Sequence, residues 1–438
     1  MKKLLALLLA LTMLLGLAAC GNKTDTPSEP TDTKEPTNTN EPADTDSEEP
    51  ADTETAPEIK IGAILVHDEN SGYDMAHIEG LTDACNALGI DMSNVTFKYN
   101  IPEDETCYDT AADLADAGCD IIFSDSYGHQ THMQQAAAEF PDTIFVACTG
   151  DLAASSGLSN LKNIFPYTYE SRYVSGIVAG MKLKELMDDG KATDPYVGYV
   201  GAFPYAEVVS GYTAFFLGIQ SIVPEAHMDV QYTNSWYDPV AEGEAANALM
   251  GKGCVIIGQH ADSTGAPSAV QAEHDKGKEV YSVGYNIDML AVAPDAALTS
   301  AQNVWSVLYK ATLEKFLAGE EIPTDYACGY AAGGAVKISD LGSSCAEGTQ
   351  DAVDAAWAGL ADGSLHIFDT STFTCQPTDN GSYEVDADGH PTSAFGLDSN
   401  GDFVNDNGEA IKDGYFAESV LRSAPYFSLR IEGITELN

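Results

Sequence analysis

The stretch CVIIGQHADSTGAPSAVQAEHDKGKEVYSVGYNID, residues 254–288, decides the fold. Val255–Gly258 is a short apolar run of strand length, Gly265–Lys276 has the length of a helix, and Val280–Gly284 is a second strand. Strand, helix and strand in so short a span make a parallel crossover unit. Upstream, Tyr196–Val200 leads to Tyr205–Val223, and Asp229–Tyr232 to Pro239–Met250. An earlier set opens with Ile59–Val66 and a helical stretch through Leu88. It continues with Asp120–Ser124 before the Ala-rich His129–Phe140, and closes on Thr143–Cys148. Two such sets predict an α/β fold of two doubly wound parallel-sheet lobes joined by a hinge. The first lobe is expected to hold residues 58–168 plus about 301–438, and the second residues 169–300. Between the sets, the helix around Tyr173–Met181 carries Gly176 and Gly180 on one face, which permits close approach of a neighbour.

In open sheets of this kind, ligands bind beyond the carboxyl ends of the strands. Those positions hold His67-Asp68-Glu69, Asp125-Ser126-Tyr127, Trp236-Tyr237-Asp238, His260-Ala261-Asp262 and Tyr285-Asn286-Ile287-Asp288. They are mostly polar and aromatic, as a cleft wall requires and a packed core does not.

The 438 residues carry 20 basic and 68 acidic side chains, a formal charge of -48, which excludes nucleic acid and anionic lipid head groups as partners. With 21 Tyr, 15 Phe and 3 Trp the chain can still pack, so the acidity describes a surface.

The N-terminus reads as an address. Lys2 and Lys3 precede the apolar run Leu4–Leu17, which is shorter than the roughly 20 residues needed to span a bilayer. The run ends in Leu17-Ala18-Ala19-Cys20-Gly21, which resembles the lipobox of bacterial lipoproteins. That likeness makes residues 1–20 a signal peptide and Cys20 the lipid-bearing first mature residue. Residues 21–57 hold nine Thr, six Pro and eleven acidic side chains, too few apolar groups to offset chain entropy, so a disordered stalk is expected. A body tethered by lipid to the outer, extracytoplasmic face of the cell membrane follows.

Signatures of catalysis are weak. Phosphate-binding loops, the dinucleotide fingerprint and the nucleophile elbow are all missing. His129 and His132 share a helical face, but no further zinc ligand is indicated. Asp398, Asn400, Asp402 and Glu409 fit a calcium-loop spacing, yet Phe403 stands where the turn requires Gly, and hairpin turns explain the Asp-Gly and Asn-Gly pairs better. Besides Cys20 there are eight cysteines, with no C-x-x-C pair; exported proteins permit disulfides, though no pairing is indicated. No enzyme, metal or cofactor is called for.

Trp236-Tyr-Asp-Pro239, Gly243-Glu-Ala-Ala246, Gln259-His-Ala-Asp-Ser263, Asn286-Ile-Asp-Met289 and Leu298-Thr-Ser300 come in an order and spacing that resembles the basic membrane protein family. These are lipoprotein substrate-binding components of ABC importers for purines and nucleosides. The likeness runs from about Lys60 to Gly433, and the Gln-His-x-Asp-Ser form is similar to the branch associated with free purine bases. It implies a type I periplasmic-binding-protein-like clamp that hands its solute to permease and ATPase subunits on separate chains.

The likeness further implies a purine sandwiched between Tyr73 of the first lobe and Trp236 of the second. Stacking suits a flat ring that bonds along its edge. Asn286 stands where the family usually has a ribose-contacting Asp, and Asn303 where it often has a Lys, which weakens the case for an intact nucleoside. His260 and Asp262 add groups able to read a base edge, although Asp262 equally fits an N-cap for the helix near Gly265. The ligand-binding set is therefore Asp68, Tyr73, Asp125, Ser126, Tyr127, Trp236, His260, Asp262, Asn286 and Asp288. Rival readings are a sugar or autoinducer receptor on the same architecture, an exported metal-dependent enzyme built on His129 and His132, and a signalling or adhesion lipoprotein.

Overall fold

Ile61-Gly-Ala-Ile64 is apolar and buried at every position, the mark of a strand covered on both faces. It is β1 in a computed structural model that describes residues 58–378, 382–394 and 409–438. Cys20, the Thr/Pro stretch and Asp398, Asn400 and Asp402 lie outside the described residues. After β1 come α1 (Gly72–Ala87), β2 (Val95–Lys98), α2 (Glu105–Asp116), β3 (Ile121–Ser124), α3 (Gln130–Glu139), β4 (Ile144–Ala147), the one-turn α4 (Ala153–Ser156) and β5 (Leu161–Pro166). Helix α5 (Thr168–Asp188) opens the second set. That set runs β6 (Tyr196–Gly201), α6 (Ala206–Gln220), β7 (His227–Tyr232), α7 (Pro239–Lys252), β8 (Ile256–His260), α8 (Gly265–His274), β9 (Tyr281–Tyr285) and β10 (Ala297–Asn303). The chain then passes through α9 (Trp305–Leu317), β11 (Asp325–Cys328), β12 (Val336–Ile338) and α10 (Thr349–Asp362). Two hairpins follow, β13 (Tyr383–Val385) with β14 (Pro391–Ala394) and β15 (Ile411–Lys412) with β16 (Tyr415–Phe416), before β17 (Ile434–Glu436).

The first sheet has the order β11-β5-β4-β3-β1-β2 and is parallel throughout. The second has the order β12-β10-β9-β8-β6-β7-β17 and is parallel except for β12. Each set thus repeats one winding, with its second strand outside its first. A topological switch point lies between β1 and β3 and another between β6 and β8, where crevices open at the carboxyl ends.

Three crossings join the sheets, at Pro166–Thr168, Asn303–Trp305 and Cys328–Val336, and they bond to one another. Thr168 Oγ1 donates to Asn303 Oδ1 (2.9 Å), Tyr167 N to Cys328 O (2.9 Å), and Tyr330 N to Glu170 Oε2 (2.7 Å). Asn303 is therefore a hinge residue.

The expectation that residues from about 301 onward belong to the first lobe is corrected by these sheets. Of the described elements, only α9, which packs on α1, and β11 are built into it. Strands β12 and β17 extend the second sheet, and Phe368, Phe416, Tyr426 and Phe427 enter the second lobe's core. The reason lies in α5, which is buried nearly all round; one flank faces α6, and α10 and the tail cover another.

Helices α5 and α6 cross closely. A Cβ on Gly176 would stand 2.1 Å from Phe215 O, and one on Gly218 2.2 Å from Tyr173 O. Gly176→Ala is expected to cost about 1–3 kcal/mol of stability, as overpacking does. An unchanged urea midpoint would mean that the helices do not meet there.

The eight cysteines among the described residues are free, and seven are buried. Glu409 accepts from Ala394 N (2.8 Å) and Ile411 N (2.9 Å), so its carboxylate is bonded by the backbone of β14 and β15.

Candidate functional site

The two switch points face each other across a cavity between the lobes. From the first lobe it is lined by Val66 beyond β1, Tyr73 in the first turn of α1, Asp125, Ser126 and Tyr127 beyond β3, and Thr149 beyond β4. The second lobe contributes Glu207 in the first turn of α6, Trp236 beyond β7, His260 and Asp262 at the end of β8, and Tyr285 at the end of β9. Strand ends bring these together because strand interiors are filled by core side chains, while the first residue past each strand is free to be polar.

Closure is visible in direct contacts. Gly72 N donates to Asp262 O (3.1 Å), while the His67 and Tyr237 rings lie 5.5 Å apart and the Tyr127 and Tyr205 rings 6.0 Å apart.

Tyr73 is held from behind. Its hydroxyl donates to Asp125 O (3.0 Å) and Cys148 O (3.2 Å), and its ring meets His77 and Trp305 edge-on. Ser71 caps α1 and fixes the turn that carries it. Trp236 is half-buried, with Phe203 edge-on at 5.1 Å and Tyr205 at 5.9 Å. The loop that carries it is tied down where Asp262 N donates to Trp236 O (2.8 Å).

The polar rim is rich in acids. Burial, then the Asp74 charge, lifts the Asp125 carboxyl well above its usual range. Asp74, although buried, is held low by hydrogen bonds from His67 and from Asp125 itself. The proton of the pair therefore sits on Asp125. Asp262 is also raised, by burial first and then by Asp74, Glu242 and Glu207. Burial pushes Glu207 up to about 7, against the pull of Arg172. Burial and the Arg172 charge keep His260 neutral, and its Nε2 lies 3.2 Å from Glu207 Oε1.

Arg172, fully buried on α5, is the cation that balances this rim. Its guanidinium stacks 3.7 Å from the Tyr285 ring centroid and donates to Gln259 O. Sequence reasoning missed both Arg172 and Glu207. The available signal was scarcity, for the chain has three arginines and one stands just before the apolar Tyr173–Met181 stretch of a helix.

Of the residues selected from sequence, Tyr73, Asp125, Ser126, Tyr127, Trp236, His260 and Asp262 line the cavity, and Asp68, Asn286 and Asp288 do not. Asp68 accepts from Asn70 N (3.0 Å) in its own turn, and the exposed Asp288 caps a 3-10 turn through Leu290 N (2.9 Å). Short carboxylates just past strands commonly bond their own backbone in this way. Asn286, at φ 60°, stands behind the rim and donates Nδ2 to Asp262 Oδ1 (3.3 Å). Asp262 is not the cap of α8, since that N-cap is Thr264 without a side-chain bond. His129 Nε2 bonds Ile101 O (2.9 Å), and among the described residues no three His, Cys, Asp or Glu side chains gather as a metal would require.

The family model described as ABC transporter substrate-binding protein PnrA-like matches residues 64–344. The chain is 34% identical over 253 residues to a purine-binding protein of Brucella abortus, a match covering 58% of this chain and 67% of that protein. It is 32% identical over 259 residues, 59% of this chain and 61% of the other, to a Haloferax volcanii protein whose name provisionally assigns it to glucose binding in an ABC transporter. Among solved structures, an ABC transporter solute-binding protein from Conexibacter woesei is similar, with a TM-score of 0.56 at 22% identity over 70% of this chain and 98% of that one. One from Aeropyrum pernix K1 gives a TM-score of 0.59 at 15% identity over 74% and 95%. These two likenesses concern the fold alone.

Proposed function

The chain belongs to the PnrA-like family of ABC transporter substrate-binding proteins, and from that premise we propose that it clamps a purine, a free base in preference to a nucleoside, between its lobes and delivers it to a permease. The family binds solutes and is not enzymatic. One observation carries the ligand class: Tyr73 and Trp236, from opposite lobes, line one cavity whose wall also holds Asp262, Glu207 and His260. Aromatic faces suit the two faces of a purine, and a rim of carboxyls and imidazole suits its mixed donor and acceptor edge. The Brucella relative supports the same class.

The clamp works by closure. An open cleft admits the base, and contacts made by both lobes at once favour the closed form. Thermal-shift titration with hypoxanthine, adenine, inosine, adenosine and glucose tests the reading, because a ligand that binds only the folded form raises the midpoint by mass action. A response to glucose alone would transfer the protein to the sugar class that the Haloferax relative's name suggests.

The proposal includes location. Solute-binding components of ABC transporters work outside the cytoplasm, and the lipobox-like Leu17-Ala-Ala-Cys20 would tether this one to the outer membrane face. Cys20→Ser is expected to move the protein from the membrane fraction to the soluble one. Retention after an alkaline wash would remove the anchor assignment.

A further inference from the structure

The tail after α10 lies outside the stretch matched by the family, and it does more than cover the second lobe. Phe416, Tyr426 and Phe427 seat it there, and Glu418 accepts from Ser210 of α6. Between these anchors, residues 419–425 reach across to the first lobe. Ser423 donates to Asp325 Oδ1 of β11 twice, from N (3.0 Å) and Oγ (2.8 Å). Arg422 Nη1 pairs with Asp151 Oδ2 at 3.1 Å, both side chains being mostly buried.

Arg422 is aimed by its own loop, since Nε donates to Ala424 O (3.1 Å) and Nη2 to Pro425 O (3.3 Å). A guanidinium held at two of its donors keeps the third in register, which a flexible ammonium does not. Asp151 connects this pair to the cavity. The oxygen that meets Arg422 also accepts from Tyr127 OH (2.8 Å), and Asp151 lies two residues beyond Thr149; Tyr127 and Thr149 both line the cavity.

We infer that the C-terminal segment is a strap that holds the lobes closed, with Arg422 as a positioning residue that orients Tyr127 through Asp151. The covalent hinge leaves the lobes free to part at the cleft mouth. The strap is a fourth, non-covalent connection between them, so opening must break the Arg422–Asp151 and Ser423–Asp325 contacts. The part of the inference that concerns Tyr127 as a ligand contact rests on the proposed solute site; the strap itself does not.

Hydrogen–deuterium exchange on the full chain reads closure without ligand, because the Gly72 amide donates across the cleft to Asp262 O. Arg422→Ala should speed exchange about ten- to a hundredfold in the facing segments 66–76 and 258–264, as loss of a charged hydrogen bond predicts. Strands β1 and β6 should keep their protection. Asp151→Asn, made on the opposite lobe, should reproduce the effect, and the double variant should add nothing to either; Arg422→Lys should restore part of it. Dissociation of hypoxanthine, measured by stopped flow, should quicken in the same proportion. Acceleration confined to residues 415–425, or none at the cleft, would overturn the strap. If hypoxanthine fails to bind the unaltered protein, the purine reading falls and the exchange arm alone decides the strap.

Discussion

Trp236→Ala is expected to weaken purine binding about ten- to a hundredfold, since one base–aromatic stack is worth about 1–3 kcal/mol. The fold should survive the change. Trp236 is half-buried on a loop, its ring touches Phe203 and Tyr205 at the cavity edge, and the loop's position depends on a backbone bond to Asp262. Tyr73→Phe makes the contrast. It keeps a stacking face and removes a hydroxyl that donates only within the first lobe, to Asp125 O and Cys148 O. Its cost of about 0.5–1.5 kcal/mol should therefore appear mainly in thermal stability. Calorimetry with hypoxanthine on both variants separates the two roles. Equal losses of affinity, or none for Trp236→Ala, would place the base elsewhere.

How much of this was legible in the sequence depends on where each side chain sits relative to its strand. Runs such as Ile61–Ile64 and the Ile256-Ile257-Gly258 start of β8 announce themselves because burial on both faces leaves no polar position. Edge strands do not. In β2, Thr96 and Lys98 point outward in a run of only four residues, and β17 emerges from a Gly/Asp-rich tail and acquires its strand character by pairing with β7. The same logic governs the site. Trp236 and Asp262 lie shortly after strands and His260 ends one, so their place along the chain marked them. Glu207 belongs to a helix start, and Arg172 reaches the rim from α5, so neither is marked by distance from a strand. Asp68 and Asp288 satisfy the positional rule and fail it for a local reason, their own turns having claimed the carboxylates.

Adenine and hypoxanthine are expected to bind at least as tightly as adenosine and inosine, and more tightly at low pH than at high. The positions where the resemblance implies sugar contacts are not on the cavity wall, since Asn286 backs Asp262 and Asn303 belongs to the hinge. What lines the wall is a set of carboxyls whose burial favours their neutral form, and a neutral carboxyl both donates and accepts along a base edge. Asp262→Asn offers the same donor and acceptor, so it should hold adenine within a few fold, whereas Asp262→Ala leaves ligand groups unpaired at about 1–3 kcal/mol. The pH sign follows from the raised values. Glu207 binds its proton up to about 7 in the closed form, against 4.5 when solvated, so closure takes up protons between those values. Above pH 4.5 each rise in pH therefore disfavours closure, by at most about tenfold per unit for one proton, and the penalty levels off past 7. Isothermal calorimetry with the four ligands at pH 5.5 and 8 decides both points. Nucleosides ahead by tenfold, about 1.4 kcal/mol, would reverse the base preference and leave the family intact. Affinity that rises with pH would mean that the rim works ionised, and Asp262→Asn should then cost as much as Asp262→Ala.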